Sequence, residues 1–159
     1  MNYCHFQKNQ TTKQEILKFS GVKDASTFAG SFGSGSNSSS GFTYNGIFVQ
    51  PRNIVMDYNF LEMMKIKIVK GRDLSPKYAS DTISNWLINE TLAKKLGLKN
   101  PINTVIQSGW GNEKGNMSFK VVGVVKDFND FNFHHFEKTI IHYNIPCLYK
   151  STKLQNKRS

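Results

Sequence analysis

Asp73, Asp81 and Glu90 fall close together in this 159-residue chain, and carboxylates at such spacing can supply a general acid, a general base and a helper. Each also suits a turn or helix cap, which explains all three without a substrate. His134, His135 and His142, with Asp127 or Asp130, are the residue types of a metal site. Adjacent histidines on a strand point to opposite faces, however, so His134 and His135 would not share one ion. The Gly/Ser-rich stretch 30–41 could cradle phosphate, but no Gly-Lys-Ser/Thr follows it and no strand leads through it into a helix. Phe42, Tyr44 and Phe48 recur at even spacing and could stack nucleotide bases. A core-facing aromatic row is the simpler expectation. Cys4 and Cys147 lie near opposite ends and offer neither a disulfide framework nor metal-site spacing. No local motif suggests a Ser-His-Asp or Cys-His arrangement. No catalytic residue, cofactor or metal is expected.

Short elements must position these groups. Thr12-Lys13-Gln14-Glu15 has capping-box spacing and predicts a helix over 12–19, with Gly21 able to end it in a left-handed conformation. Val22–Phe28 reads as a strand, followed by a flexible loop over 30–41. Strands are predicted at Phe42–Val49 and Asn53–Tyr58, with Asn59 capping a helix over Phe60–Met64. Ile66–Val69 alternates like a half-buried strand and Gly71 closes it. After a strand at Ile83–Ile88, Asn89 caps a helix in which Glu90 meets the positive end of the dipole and Leu92, Ala93 and Leu96 form an apolar stripe, ended by Gly97. Thr104–Gln107 and Phe119–Val125 read as strands around a loop, Ser108–Asn116. The run Val121–Val125 is apolar enough for burial on both faces, and Gly123 within it suggests a close neighbouring backbone. The class is α+β, a mixed sheet with βαβ-like pieces at 53–70 and 83–107.

Net charge is +10. Residues 138–159 hold Lys138, Lys150, Lys153, Lys157 and Arg158 and no acid, a basic tail beyond a body at 1–137 in which bases and acids are interspersed. Such a surface could meet nucleic acid or anionic lipid. No run approaches the roughly 18 apolar residues of a membrane span, and Met1–Gln10 leads into no signal-peptide core.

Four blocks carry a family resemblance: Met56–Lys67, Lys70–Ser75, Leu87–Ile102 and Val121–Phe128. In this order they resemble the extracytoplasmic domain of MacB/FtsX-like ABC transporter permeases of the Bacteroidetes type, over about residues 11–137. Asp57, Tyr58, Phe60 and Leu61 match the family's strand-to-helix turn, and Gly71, Arg72 and Asp73 its Gly-Arg-Asp turn. Asn89, Glu90, Ala93, Lys94, Leu96, Gly97, Asn100 and Pro101 match its Asn-Glu helix and exit. Gly123, Val124, Val125, Asp127 and Phe128 match its Gly-Val-Val-x-Asp-Phe strand. Asn103 stands where the family has glycine, and Asn tolerates positive φ better than most residues.

The resemblance implies a porter-like α/β unit with a smaller strand-rich insertion, incomplete here at its C-terminus as in a truncated or excised piece. It implies a non-catalytic domain at the extracytoplasmic face of the inner membrane, transmitting conformational change between a permease dimer partner and a separate ATPase subunit. With family elements missing after residue 137, Val121–Val125 should lack a neighbour. Thr139–Tyr143 could pair there as an edge strand; otherwise the exposed edge should recruit a homodimer. The rival readings are a basic binding module for nucleic acid or anionic lipid, without sequence specificity for nucleic acid, and a hydrolase.

Overall fold

The computed structural model describes residues 5–26, 28–29, 41–108, 117–128 and 139–143. The first helix, α1 (His5–Ile16), begins upstream of the expected start, so Thr12 lies inside it and the predicted capping box does not form its N-terminus. Leu17–Ser20 turn out of it, and Gly21 takes φ +101°. Val22–Ser26 is not strand; only Phe28–Ala29 pairs, as β1.

The predicted strand Phe42–Val49 is a hairpin. Asn45 and Gly46 adopt positive φ, 47° and 77°, and split it into β2 (Phe42–Tyr44) and β3 (Ile47–Val49). Two central residues with positive φ match the right-handed twist of paired strands, which is why Asn-Gly favours hairpins. Phe48 sits opposite Thr43 whereas Phe42 sits opposite Val49. Phe42 is therefore buried and Phe48 is 65% exposed, so the expected row of Phe42, Tyr44 and Phe48 does not share one face.

The main sheet holds β4 (Arg52–Met56), β5 (Ile68–Gly71), β6 (Asn85–Asn89), β7 (Val105–Ser108), β8 (Met117–Val125) and β9 (Thr139–Tyr143), ordered β1-β4-β9-β6-β8-β5 with β7 also on β8. Helix α2 (Phe60–Met63) follows β4, a 3-10 turn (Ala79–Thr82) precedes β6, and α3 (Glu90–Lys95) follows it. The class is α+β, and the sheet is mixed: β6 is parallel to β8 and antiparallel to β9, which is parallel to β4. The second βαβ-like piece closes on β8 rather than β7, since β7 is antiparallel to β8. The first is split, with β9, β6 and β8 between β4 and β5.

Strand β8 has neighbours on both edges, β6 on one and β7 and β5 on the other. The expected gap beside Val121–Val125 is absent, and β9 does not patch an edge; it lies between β4 and β6. Ile140 and Ile141 explain that place: adjacent strand residues face opposite sides, and each is fully buried in a different core.

Those cores cover the two sheet faces. One packs α3 and the hairpin against Trp86, Ile88, Val121 and Ile140, with Trp86 stacked on Phe119 at 4.0 Å between ring centroids. The other packs Phe60 and Leu61 of α2 and Leu74 against Leu87, Val122 and Ile141. A bulge in β8 places Trp86 opposite Val121 but Leu87 opposite Gly123. The extra residue reverses the alternation: Val121 and Val124 both serve the first core, Val122 and Val125 the second.

Candidate functional site

Polar residues of the motif blocks gather at three junctions. The first is where β5 leaves the sheet. Gly71 sits opposite Gly123 with φ +74°. A Cβ on Gly123 would lie 2.3 Å from the Arg72 carbonyl oxygen and 2.8 Å from Leu87 Cδ2, so the two backbones approach as closely as only glycine permits. Past this contact Arg72 donates from Nη1 to Asp81 Oδ2 at 2.6 Å and from Nη2 to Asp81 Oδ1 at 2.9 Å. Nη1 also donates to the Asp73 carbonyl oxygen, and the guanidinium lies over the Tyr78 ring, 4.2 Å from its centroid.

Asp81 is buried and accepts two further bonds, from the Ser75 amide at 2.8 Å and Asn85 Nδ2 at 2.6 Å. Burial pushes its carboxyl up, but the bonds from Arg72, Asn85 and Ser75 and the Arg72 charge outweigh that and hold it below the usual carboxylate range. The same pairing raises Arg72. Asp73 differs: burial, with the Asp81 charge behind it, raises its carboxyl despite a bond from the Leu74 amide and the nearby Arg72. Burial, then Asp81 and Asp57, likewise raise the Tyr58 phenol. A carboxylate that accepts four bonds, two of them from one arginine, has no lone pair to spare as a base.

The second junction is the start of α3. Asn89 Oδ1 accepts from the Leu92 amide at 3.0 Å, the cap expected from sequence. Asp127, just past β8, adds a second cap: Oδ1 accepts from the Thr91 amide at 2.9 Å and Oδ2 from the Thr91 hydroxyl at 2.7 Å. Glu90 Oε2 accepts from the Asp127 amide at 3.3 Å. Negative groups at a helix N-terminus oppose its positive dipole end. Gly97 ends this helix region with φ +67°, Asn103 turns with φ +68°, and Pro101 is buried while Asn100 is exposed. Phe128 packs at the edge of the second core.

At the third junction Lys13 Nζ donates to Asp57 Oδ2 at 2.7 Å and to Asn59 Oδ1 at 3.0 Å. Asp57 Oδ1 accepts from the Tyr58 amide. Asn59 makes no side-chain cap on α2, contrary to expectation; its Nδ2 donates instead to Asp24 Oδ1 and the Ala25 carbonyl oxygen.

Asp73 and Asp81 thus meet around Arg72, while Glu90 belongs to the α3 junction with Asp127. His134, His135 and Asp130 lie outside the described residues, and among the described residues no cluster of three or more His, Cys, Asp or Glu could hold a metal. Cys4, Cys147 and the loop 30–40 also lie outside them. Sequence reasoning missed Lys13, Ser75, Asn85 and Thr91 as partners. Only Thr91, next to a recognised cap, carried a local signal; the others meet their partners through the fold.

Residues 6–146 match the family of MacB-like periplasmic core domains, a span that takes in β9. No curated protein matches the sequence. Among solved structures the chain is similar to the periplasmic region of MacB from Actinobacillus actinomycetemcomitans, at 14% identity and TM-score 0.62 over 90% of this chain and 58% of that one. It is also similar to the extracellular domain of the noncanonic ABC-type transporter YknZ from Gram-positive bacteria, at 14% identity and TM-score 0.61 over 84% of this chain and 61% of that one. The chain spans about three-fifths of each of these structures. Among the described residues no helix is long and apolar enough to cross a membrane. On a family match covering most of its length, the chain belongs to the MacB-like periplasmic core domains of ABC transporter permeases.

Proposed function

We propose that this domain is a non-catalytic, extracytoplasmic element that transmits conformational change within an ABC transporter permease, contacting a permease dimer partner and responding to a separate ATPase subunit. One observation carries this reading. The four donors on Asp81 turn the Gly-Arg-Asp block into a brace between the exit of β5 and the entry of β6. A group so saturated serves rigidity, and a rigid body passes motion on where a compliant one absorbs it. A homodimer through an exposed sheet edge is disfavoured at β5, which closes one end of the sheet. Its bulge at Val69 and its Lys70 make that edge a poor template for strand addition.

The test has two arms. The purified chain should hydrolyse neither ATP, esters nor phosphodiesters, and turnover abolished by Asp73→Ala or Glu90→Ala would overturn the reading. In a permease carrying this domain, Arg72→Met should lower transport per ATP hydrolysed while ATPase association persists; unchanged coupling would count against force transmission. Any DNA binding should fade toward ~0.15 M salt. Tight, sequence-selective binding there would favour the binding module.

A further inference from the structure

Strand β5 closes one end of the sheet, and its surface is of mixed character. All four of its residues are exposed, and so are Lys65 and Lys67 just before it. Ile68 and Val69 keep 36% and 46% of their surface in solvent. Lys65 and Lys67 on one side and Lys70 on the other flank this apolar pair, and Lys126, also exposed, joins them from the end of β8.

The fold concentrates this charge. Past the Ile68–Val125 pair the antiparallel register continues, for the Lys126 amide donates to the Lys67 carbonyl oxygen at 2.8 Å. Two lysines therefore stand across from each other on neighbouring segments, where like charges repel. Lys65 holds φ +54°, a left-handed conformation that glycine adopts with less strain, and its side chain remains exposed. The acids beside the strip are engaged elsewhere: Asp127 accepts from the Thr91 amide and hydroxyl, and Asp73 from the Leu74 amide. Four lysines thus stand against the exposed Glu62.

Such repulsion is relieved by a polyanion laid across the strip. The bulge at Val69 interrupts the row of edge amides and carbonyls, which disfavours a protein strand in that place. An anionic lipid surface fits better: its headgroups neutralise lysines without needing a register, and apolar side chains between the lysines enter the headgroup boundary. We propose that β5, with Lys65, Lys67, Lys70 and Lys126, is a docking strip for an anionic phospholipid surface, with Ile68 and Val69 seated among the headgroups. Such a contact would fix the tilt of the domain against a bilayer. It does not require the force-transmitting role: vesicle binding tests the strip, and transport per ATP hydrolysed tests that role.

The whole 159-residue chain would be floated with vesicles of phosphatidylcholine alone or mixed with phosphatidylglycerol. Binding is expected only to the mixed vesicles, and it should fade as salt rises. Lys67→Gln with Lys126→Gln should weaken it on the order of twentyfold. The urea midpoint of this variant should stay unchanged or rise slightly, since a repulsion is removed. Lys94→Gln with Lys95→Gln, an equal loss of charge from exposed positions on α3, should weaken binding far less. Equal weakening by the α3 pair, or by Lys150→Gln with Lys153→Gln in the basic tail, would overturn the proposal, because net charge would then be the whole cause. A polarity-sensitive dye on Val69→Cys, in a Cys4→Ser, Cys147→Ser background, should shift its emission to the blue on mixed vesicles. A dye that keeps its aqueous emission on bound protein would overturn the seating of the strip. Binding to polyglutamate without binding to either vesicle would overturn the lipid in favour of an acidic protein segment.

Discussion

Helices α1 and α3 show two ways of attaching a helix to one body. Helix α3 buries Leu92, Ala93 and nearby Leu96 against Trp86, Ile88 and Val121 and is capped from both Asn89 and Asp127. Burying two leucines and an alanine contributes on the order of 4 kcal/mol. Over residues 11–17 helix α1 is exposed except at Lys13, whose largely buried pair with Asp57 offsets its own desolvation and adds little net stability. The difference is one of kind as well as size. The α3 attachment is part of the core, whereas the attachment described for α1 over residues 11–17 is polar.

The largest effect should come from the body that α3 belongs to. Gly123→Val would force a side chain into the Arg72 carbonyl and Leu87, neither of which can withdraw without moving β5 or β6. We expect a loss of about 3 kcal/mol or more, read as a urea midpoint shift or failure to fold. A fully stable Gly123→Val would mean that β5 is loosely held, and the contrast between body and arm would collapse.

Next comes Leu92→Ala, which should cost about 3 kcal/mol in global stability. Lys13→Met, which leaves the buried Asp57 carboxylate without its ammonium, should cost less, about 2 kcal/mol, in the same experiment. Equal losses from the two would erase the distinction.

Arg72→Met sharpens the comparison within the body and carries a pH signature. It strands the buried Asp81 carboxylate, and we expect a loss of about 2 kcal/mol, reduced from the fully buried case because Arg72 is 39% exposed. Asp81 titrates below its unfolded value, so its contribution is present above the unfolded carboxylate pKa of about 3.9 and is lost as pH falls through the folded value. The gap between wild type and Arg72→Met should therefore narrow in acid. Asp73 runs the other way: its folded value is raised, so Asp73→Asn should leave neutral stability unchanged or slightly higher. Chemical denaturation between pH 3 and 7 distinguishes the two.

Much of the local architecture was legible in the sequence because its causes are local. Asn89 before an apolar stripe caps a helix wherever that helix packs, and Gly97 supplies the left-handed turn after it. The apolar run of β8 announced burial on both faces, and Gly123 within it announced a close backbone. The Asn45-Gly46 hairpin was equally local and was overlooked, because the even spacing of Phe42, Tyr44 and Phe48 imitated one continuous strand. The order of motif blocks pointed to the family for the same reason: turns and caps survive as short strings.

Partnership is where the sequence fell silent. Nothing near Arg72 marks Asp81 rather than Asp73 as its carboxylate, and nothing near Asp127 marks the start of α3 as its destination. Asn59 looked like a cap but lies where Lys13, Asp24 and Ala25 converge, and those partners outcompete the helix amides. Thr139–Tyr143 reads from sequence as a makeshift edge strand, yet β9 lies between β4 and β6, with Ile140 and Ile141 each filling a core on opposite faces. The Asn89 cap, the turns at Gly97 and Asn45-Gly46 and the β8 strand depend on neighbours a few residues away, and the sequence alone determined them. Which strands lie side by side, and which charges meet, depend on contacts far apart in the chain, and only the tertiary structure decided them.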